Sequence, residues 1–233
     1  LGVIKPDIIT YVSHYVSEII QFISKILEND MGYVSNGSVY IDMKKYYDNS
    51  NKDTLFDTSQ FASDIKSQLD ELLLKEKKDS RDFALWKNAK EGEPSWESPW
   101  GNGRPAWHIE CSVMIEDTLK MVDTGNKLFT IHTGGEDLIF PHHENEIKQF
   151  IAKDGENPMD IFLHYGRLNI DGVKMGKSEK NYVSLKNVLK FVNPNVIRML
   201  FLMRNWDDRI EYSEGSIDYA QSVFDRVDNF IKH

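Results

Sequence analysis

The chain has 233 residues, 40% of them hydrophobic, enough for one large core or two small ones. With 28 Lys and Arg against 37 Asp and Glu, its net charge of −9 argues against general affinity for nucleic acid but leaves room for a local basic surface. One cysteine excludes a disulfide framework and fits a reducing, cytoplasmic setting, and neither a signal peptide nor an apolar run of transmembrane length is present.

In chain order, Ile8, Ile9, Val12, Tyr15, Val16, Ile19, Ile20, Ile23, Ile26 and Leu27 recur at helical spacing. They predict an amphipathic helix over 8–29, capped by Asp7, with Gly32 beyond its end. Tyr33-Val34 and Val39-Tyr40-Ile41 flank Asn36-Gly37, a hairpin signal. Residues 44–58 read as polar and turn-rich, and 59–76 as a charged helix with Phe61, Ile65, Leu69, Leu72 and Leu73 on one face. Phe83-Ala84-Leu85-Trp86 reads as a short strand. Proline and glycine from Glu91 to Pro105 argue for an irregular loop, and its two tryptophans argue that it packs on something. A domain boundary is placed there.

Residues 107–122 then predict a helix, and Leu128–His132 a buried strand followed by a Gly134-Gly135 turn. Pro141 stands where a first helical residue would, opening a helix to about Ala152. Phe162–Gly166 and Leu168–Val173 read as strands. Ser184 caps a helix over 185–192, Pro194 opens another to about Met203, and 213–232 form the last. Helices alternating with short strands predict an α/β protein.

Residues 107–146 concentrate the chemistry. They hold the single cysteine, Cys111, four of the seven histidines and a string of carboxylates. His142 and Glu146 are four apart, so a helix from Pro141 sets both on one face. Cys111, on an earlier helix, could converge with them across the strand ending at His132; thiolate, imidazole and carboxylate are established zinc ligands, and the softness of the thiolate favours zinc over magnesium or calcium. The plainer alternatives are a buried cysteine acting as a small hydrophobe and a surface His–Glu pair. The spacing matches no standard zinc finger. His108, His132 and His143 read as groups that support the metal or touch substrate, and Trp107, by position alone, as core, with an aromatic wall for a small ligand as the alternative.

Lys174-Met175-Gly176-Lys177-Ser178 follows the turn Asp171-Gly172. A P-loop would need glycine where Asp171 stands, so that reading is rejected. Two lysines and a serine on a short loop can still cover a triphosphate and neutralise charge as pyrophosphate leaves. A solvated basic turn is the plain alternative.

Taken together, Gly103-Arg104-Pro105-Ala106-Trp107-His108-Ile109-Glu110-Cys111-Ser112, Gly134-Gly135-x-Asp137-Leu138-x-Phe140-Pro141-His142-His143-Glu144-Asn145-Glu146 and Lys174–Ser178 resemble the cysteinyl-tRNA synthetases. These are class I aminoacyl-tRNA synthetases, and the last stretch is similar to their KMSKS loop. Glu91–Trp96 and Ser98–Gly101 also look like this family. The resemblance implies a partial Rossmann-like catalytic domain. Residues 1–103 would be the inserted α+β part, 104–183 the second half of the nucleotide-binding fold, and 184–233 the start of a helical domain.

It further implies zinc on Cys111, His142 and Glu146, with the metal taking the thiol of L-cysteine. That would reject serine without editing, because a hydroxyl is a hard ligand of high pKa. Trp107, His108, His132 and His143 would lie around the amino acid. Gly134, Gly135 and Asp137 would serve ATP, supplied with Mg2+, while Lys177, with Lys174 alongside, would contact its phosphates. The implied reaction makes cysteinyl-adenylate and transfers cysteine to tRNA(Cys), in a monomeric cytoplasmic enzyme that touches no membrane.

Three departures stand out. The family's fourth zinc ligand, an N-terminal cysteine, and its HIGH motif are not in this sequence, so the chain by itself is expected to be inactive. Gly176 replaces the middle serine of KMSKS. The chain also stops within the helical region, short of an anticodon-binding domain. Rival readings are the cysteine ligase of mycothiol synthesis, a zinc hydrolase with Glu144 as general base, and a zinc module that only binds a partner.

Overall fold

The computed structural model describes residues 1–49, 76–122 and 129–232. Apart from Glu76, the charged helix expected over 59–76 lies outside them. Two compact units emerge. One comprises Ile8–Ile131 and Leu138–Ile161, the other Leu1–Asp7, His132–Asp137 and Phe162–His233.

In the first unit, a single 3-10 turn at Val12–His14 precedes helix α1 (Val16–Glu28), which therefore starts later than the periodicity predicts. Ile8, Ile9 and Tyr11 are exposed, so the apolar pattern there does not extend the packed face, and no helix starts at Asp7 for it to cap. Beyond α1, the hairpin forms as expected. Strands β1 (Gly32–Ser35) and β2 (Ser38–Ile41) pair antiparallel through Asn36-Gly37, both at positive φ. Gly32 is required at its place, since a Cβ there would lie 2.9 Å from the Tyr40 carbonyl.

Residues 44–49, part of the stretch expected to be polar and turn-rich, instead belong to helix α2 (Met43–Asn49), which buries Met43 and Tyr46. Strand β3 (Ala84–Asn88) joins β2, and β4 (Gly103–Pro105) joins β3. The Pro- and Gly-rich stretch is thus irregular only up to Asn102. Pro105 is tolerated because β4 is an edge strand, where a missing N–H costs no ladder bond. Trp100 packs edge-on against buried Trp86, with ring centroids 5.9 Å apart, which bears out the packing expected of the loop. Asp82 organises this end of the sheet from within. Its carboxylate accepts from Tyr33 Oη at 2.6 Å, Met43 N at 2.9 Å and Asp79 N at 3.0 Å.

Helix α3 (Trp107–Val122) follows as predicted, and α4 (Glu144–Asp154) packs with it and with α1. Their shared core contains Ile19, Phe22, Ile23, Ile109, Val113, Ile147 and Phe150. Phe22 and Phe150 meet edge-to-face at 5.6 Å.

In the second unit, β5 (Ile131–Gly135) pairs with β6 (Ile161–Tyr165) in a two-stranded sheet. The expected buried strand therefore begins at Ile131, and Gly134-Gly135 belong to it rather than to a turn. Among the described residues it has one partner strand, and Ile131 is 55% exposed. The single strand expected over 168–173 is a hairpin, β7 (Leu168–Ile170) and β8 (Val173–Lys174), because Asp171 and Gly172 both take positive φ. Strand β9 (Ile210–Glu211) lies parallel to β7.

Helix α5 (Leu185–Val188) is shorter than expected and has no side-chain cap from Ser184. Helices α6 (Pro194–Leu202) and α7 (Glu214–Lys232) match their predictions, and Val196, Leu200, Ile210 and Ala220 form the core between them. Asn193 caps α6 by accepting the Asn195 N–H at 2.9 Å, with Pro194 in the first turn. Asn193→Ala is expected to cost about 1 kcal/mol in urea denaturation; an unchanged midpoint would refute that capping role. Among the described residues, no helix is long and apolar enough to cross a membrane.

Candidate functional site

The start of α3 and the start of α4 build one cluster. Pro141 disfavours helical backbone in the residue before it, and Phe140 is accordingly extended, at φ −133° and ψ 135°. Beyond this kink, residues 141–143 lead straight into α4. The helix thus runs as predicted through His142 and Glu146, and their side chains meet, with Nε2 and Oε1 2.9 Å apart.

Cys111, two residues before the buried Val113 on α3, completes the cluster. The candidate donor atoms of Cys111, His142 and Glu146 all lie within 4.8 Å of one another. Burial pushes the Cys111 thiol up to about 12, reinforced by the charges of Glu146 and Glu110 and by a hydrogen bond to Glu146. In this arrangement the thiol keeps its proton until a cation arrives to replace it.

The surrounding side chains shape the cluster. His108 Nδ1 lies 2.8 Å from His142 Nδ1, leaving His142 Nε2 facing Glu146. Burial, and then the nearby imidazole of His142, lower His108 to about 4, so it is neutral at physiological pH. Trp107 is 60% exposed and is not core. Its ring lies 4.3 Å from His142 and 5.9 Å from His108, centroid to centroid, forming a wall over both imidazoles. His143 is buried, 5.7 Å from His142 by ring centroids. Glu144 is also buried and paired with Lys148 at 3.0 Å.

The other expected site residues belong to the second unit. His132 lies on β5, edge-to-face with Phe162 at 5.5 Å. Gly134 and Gly135 end that strand, and a Cβ on Gly135 would lie 2.5 Å from the Asp137 carboxylate. Glycine there lets Asp137 fold back over the strand end. Asp137 pairs with Lys174, the last residue of β8. Burial alone would raise the Asp137 carboxyl, but the hydrogen bond and charge of Lys174 outweigh it and hold the group below the usual carboxylate range. Lys177 stands 5.9 Å over the Tyr182 ring.

Sequence reasoning missed two partners in this unit. Glu136 binds Arg167 at 2.7 Å and Arg209 at 2.8 Å. Asn181 is bonded to the backbone of the lysine loop. Neither had a spacing signal, since their partners are set by tertiary structure or by an unusual turn.

A family model described as "tRNA synthetases class I (C) catalytic domain" matches residues 1–222. The chain belongs to that family. It is 43% identical over 229 residues to a Xenopus laevis protein named cytoplasmic cysteine--tRNA ligase, a match covering 94% of this chain and 30% of that protein. It is 42% identical over 232 residues to cysteine--tRNA ligase of Encephalitozoon cuniculi, covering 99% of this chain and 46% of the relative. The synthetase chain thus spans less than half the length of either relative. Among solved structures, Mycobacterium tuberculosis methionyl-tRNA synthetase in complex with methionyl-adenylate matches with TM-score 0.59 and 14% identity, over 91% of this chain and 50% of that one. At that identity the likeness shows the fold alone, the α/β fold of a class I synthetase catalytic domain.

Proposed function

We propose that this chain is the thiol-selecting and phosphate-handling part of a cysteine--tRNA ligase. The enzyme activates L-cysteine with ATP and Mg2+ to cysteinyl-adenylate and passes cysteine to tRNA(Cys), acting in the cytoplasm as a monomer. The observation that carries this reading is the convergence of Cys111, His142 and Glu146 within 4.8 Å.

The donor set fits zinc. Zinc bonds of about 2.0–2.3 Å in a tetrahedral site put ligand atoms roughly 3.3–3.8 Å apart, so small side-chain movements would close these three on one ion. Thiolate, imidazole and carboxylate are also its usual protein ligands. Bound there, zinc would supply a soft Lewis acid that takes a substrate thiolate in preference to a hydroxyl.

The chain's own side chains do the rest. With Nε2 on the ion, His142 would carry its proton on Nδ1 and donate it to neutral His108 Nδ1, which would fix the ring's orientation. Trp107, His108 and His143 bound the amino acid, and His132 serves substrate binding from β5. Gly134, Gly135 and Asp137 serve ATP. Lys174 and Lys177 neutralise its phosphates, Lys174 exchanging Asp137 for a phosphate oxygen as it does so. Residues 1–103 form the insertion, 104–183 the second half of the nucleotide-binding fold and 184–233 the start of the helical domain.

Cysteine-dependent ATP–pyrophosphate exchange by the complete protein tests this. We expect exchange with cysteine and at least about 100-fold less with serine, the scale of discrimination between a site's intended ligand and an analogue that cannot make its key bond. Absence of exchange with cysteine overturns the reading, and transfer to glucosaminyl-inositol but not to tRNA replaces it with the mycothiol ligase. The hydrolase alternative loses its general base, because Glu144 is 1% exposed and already paired with Lys148.

A further inference from the structure

The lysine loop is held from just beyond its own motif. The Asn181 side chain reaches back with both ends of its amide. Its Oδ1 accepts the Gly176 N–H at 2.9 Å, and its Nδ2 donates to the Lys174 carbonyl at 3.1 Å. Lys180 takes a left-handed φ of 57°, and its N–H bonds the Lys177 carbonyl at 3.2 Å. That turn brings Asn181 round to face the residues it clamps. On the other side, the Met175 N–H bonds the Leu168 carbonyl at 2.9 Å, fastening the loop to β7. Lys174 and Lys177 remain exposed.

We propose that Asn181 is the positioning residue of this loop. It closes residues 174–181 into a ring and so presents Lys174 and Lys177 together to a polyphosphate. The inference rests on the phosphate-handling role proposed above for these lysines.

Only an amide of this length does both jobs. Aspartate keeps an acceptor for Gly176 but sets a carboxylate oxygen against the Lys174 carbonyl, and leucine offers neither a donor nor an acceptor. The clamp also bears on Gly176. That glycine is not at positive φ, and an added Cβ would meet Ser178 Oγ at 3.5 Å and Glu179 Cγ at 3.8 Å, ordinary contacts. Its backbone conformation therefore does not demand glycine. Glycine enlarges the set of open loop conformations, and the Asn181 bonds oppose that by holding the Gly176 N–H. Alanine at 176 should narrow the open set by the complementary route.

The test compares the protein with Asn181→Leu, Asn181→Asp, the pair Asn181→Leu/Gly176→Ala, and Lys174→Ala/Lys177→Ala. Three quantities are measured: native tryptic cleavage after Lys177 and Lys180 by mass spectrometry, MgATP affinity by equilibrium dialysis, and Tm. Losing two partly exposed hydrogen bonds shifts a loop population by roughly tenfold. Asn181→Leu should therefore speed cleavage at these sites and weaken MgATP by about that factor, with little change in Tm. Asn181→Asp should fall between, and Gly176→Ala should restore part of both losses.

Unchanged cleavage in Asn181→Leu overturns the proposal, as does faster cleavage throughout the chain with a lowered Tm, which marks a general structural role. Faster loop cleavage with MgATP affinity unchanged in Asn181→Leu overturns the positioning role. If the double lysine variant also binds MgATP normally, the phosphate reading itself fails, separately from the clamp.

Discussion

Cys111→Ser is expected to weaken zinc binding by about 100- to 1000-fold. Structural zinc sites bind with about 10–16 kcal/mol over four ligands, or about 2.5–4 kcal/mol per ligand, which corresponds to that range. Serine nearly preserves shape, but its hydroxyl is hard and holds its proton far more tightly than a thiol. The variant thus removes one metal bond while leaving the packing of α3 on α4 in place. Competition against a chromophoric chelator reads the affinity, and Tm in excess EDTA reads the fold without metal.

We expect the EDTA Tm to stay within about 5 °C of wild type, since a nearly isosteric change at a half-buried position, with a hydroxyl that can still donate to Glu146, usually costs less than about 1.5 kcal/mol. Zinc bound within threefold of wild-type affinity would remove Cys111 from the donor set. A variant that loses stability with zinc yet activates cysteine normally would favour the partner-binding zinc module.

The legible half of this site was the part encoded locally. His142 and Glu146 are one helical turn apart, so spacing alone predicted that they share a face, and they lie 2.9 Å from one another. Cys111 could be assigned to the same cluster only by chemistry and by resemblance, because the packing of α3 on α4 that brings it near is tertiary. For Trp107, position alone ranked core ahead of an aromatic wall for the same reason. An aromatic residue opening an apolar helix looks like core, and only the fold shows it 60% exposed over two imidazoles.

The errors in the elements have a common cause. Periodicity reports apolar spacing but not whether a partner covers it, so Ile8 and Ile9 extended α1 into residues that are exposed, and Phe129 and Ile131 suggested a buried strand where both side chains are open to solvent. In the converse case, β4 was obscured by Gly103 and Pro105, residues that disfavour a central strand but suit an edge. The Asn181 clamp was invisible because it depends on a positive φ at Lys180, a lysine with no preference for that conformation.

Lys148→Met is expected to destabilise the metal-free protein by about 3–5 kcal/mol, the cost of leaving a buried charge uncompensated. Lys148 and Glu144 are side chains 9% and 1% exposed, joined at 3.0 Å along α4. Desolvation lowers the lysine from its usual range, against the opposing pull of Glu144. The pair is also incompletely satisfied, since Glu144 Oε2 has no hydrogen-bond partner among the described residues. A buried ion pair with an orphaned oxygen contributes little net stability, whatever its Coulomb energy. Removing both charges should therefore cost far less than removing one.

Glu144→Leu/Lys148→Met is expected within about 1 kcal/mol of wild type in urea denaturation with EDTA present. A cost equal to the sum of the single variants would show the pair to be net stabilising. The reason for keeping such a pair then lies in geometry. Glu144 stands between His143 and Asn145 in the turn that aims His142 and Glu146, and its partner one turn on at Lys148 holds that carboxylate, and with it the turn, in one arrangement. The double variant should accordingly fold normally yet bind zinc about 10- to 100-fold more weakly, as when groups that orient metal ligands are lost. Wild-type zinc affinity in that variant would leave the pair without a role in aiming the site.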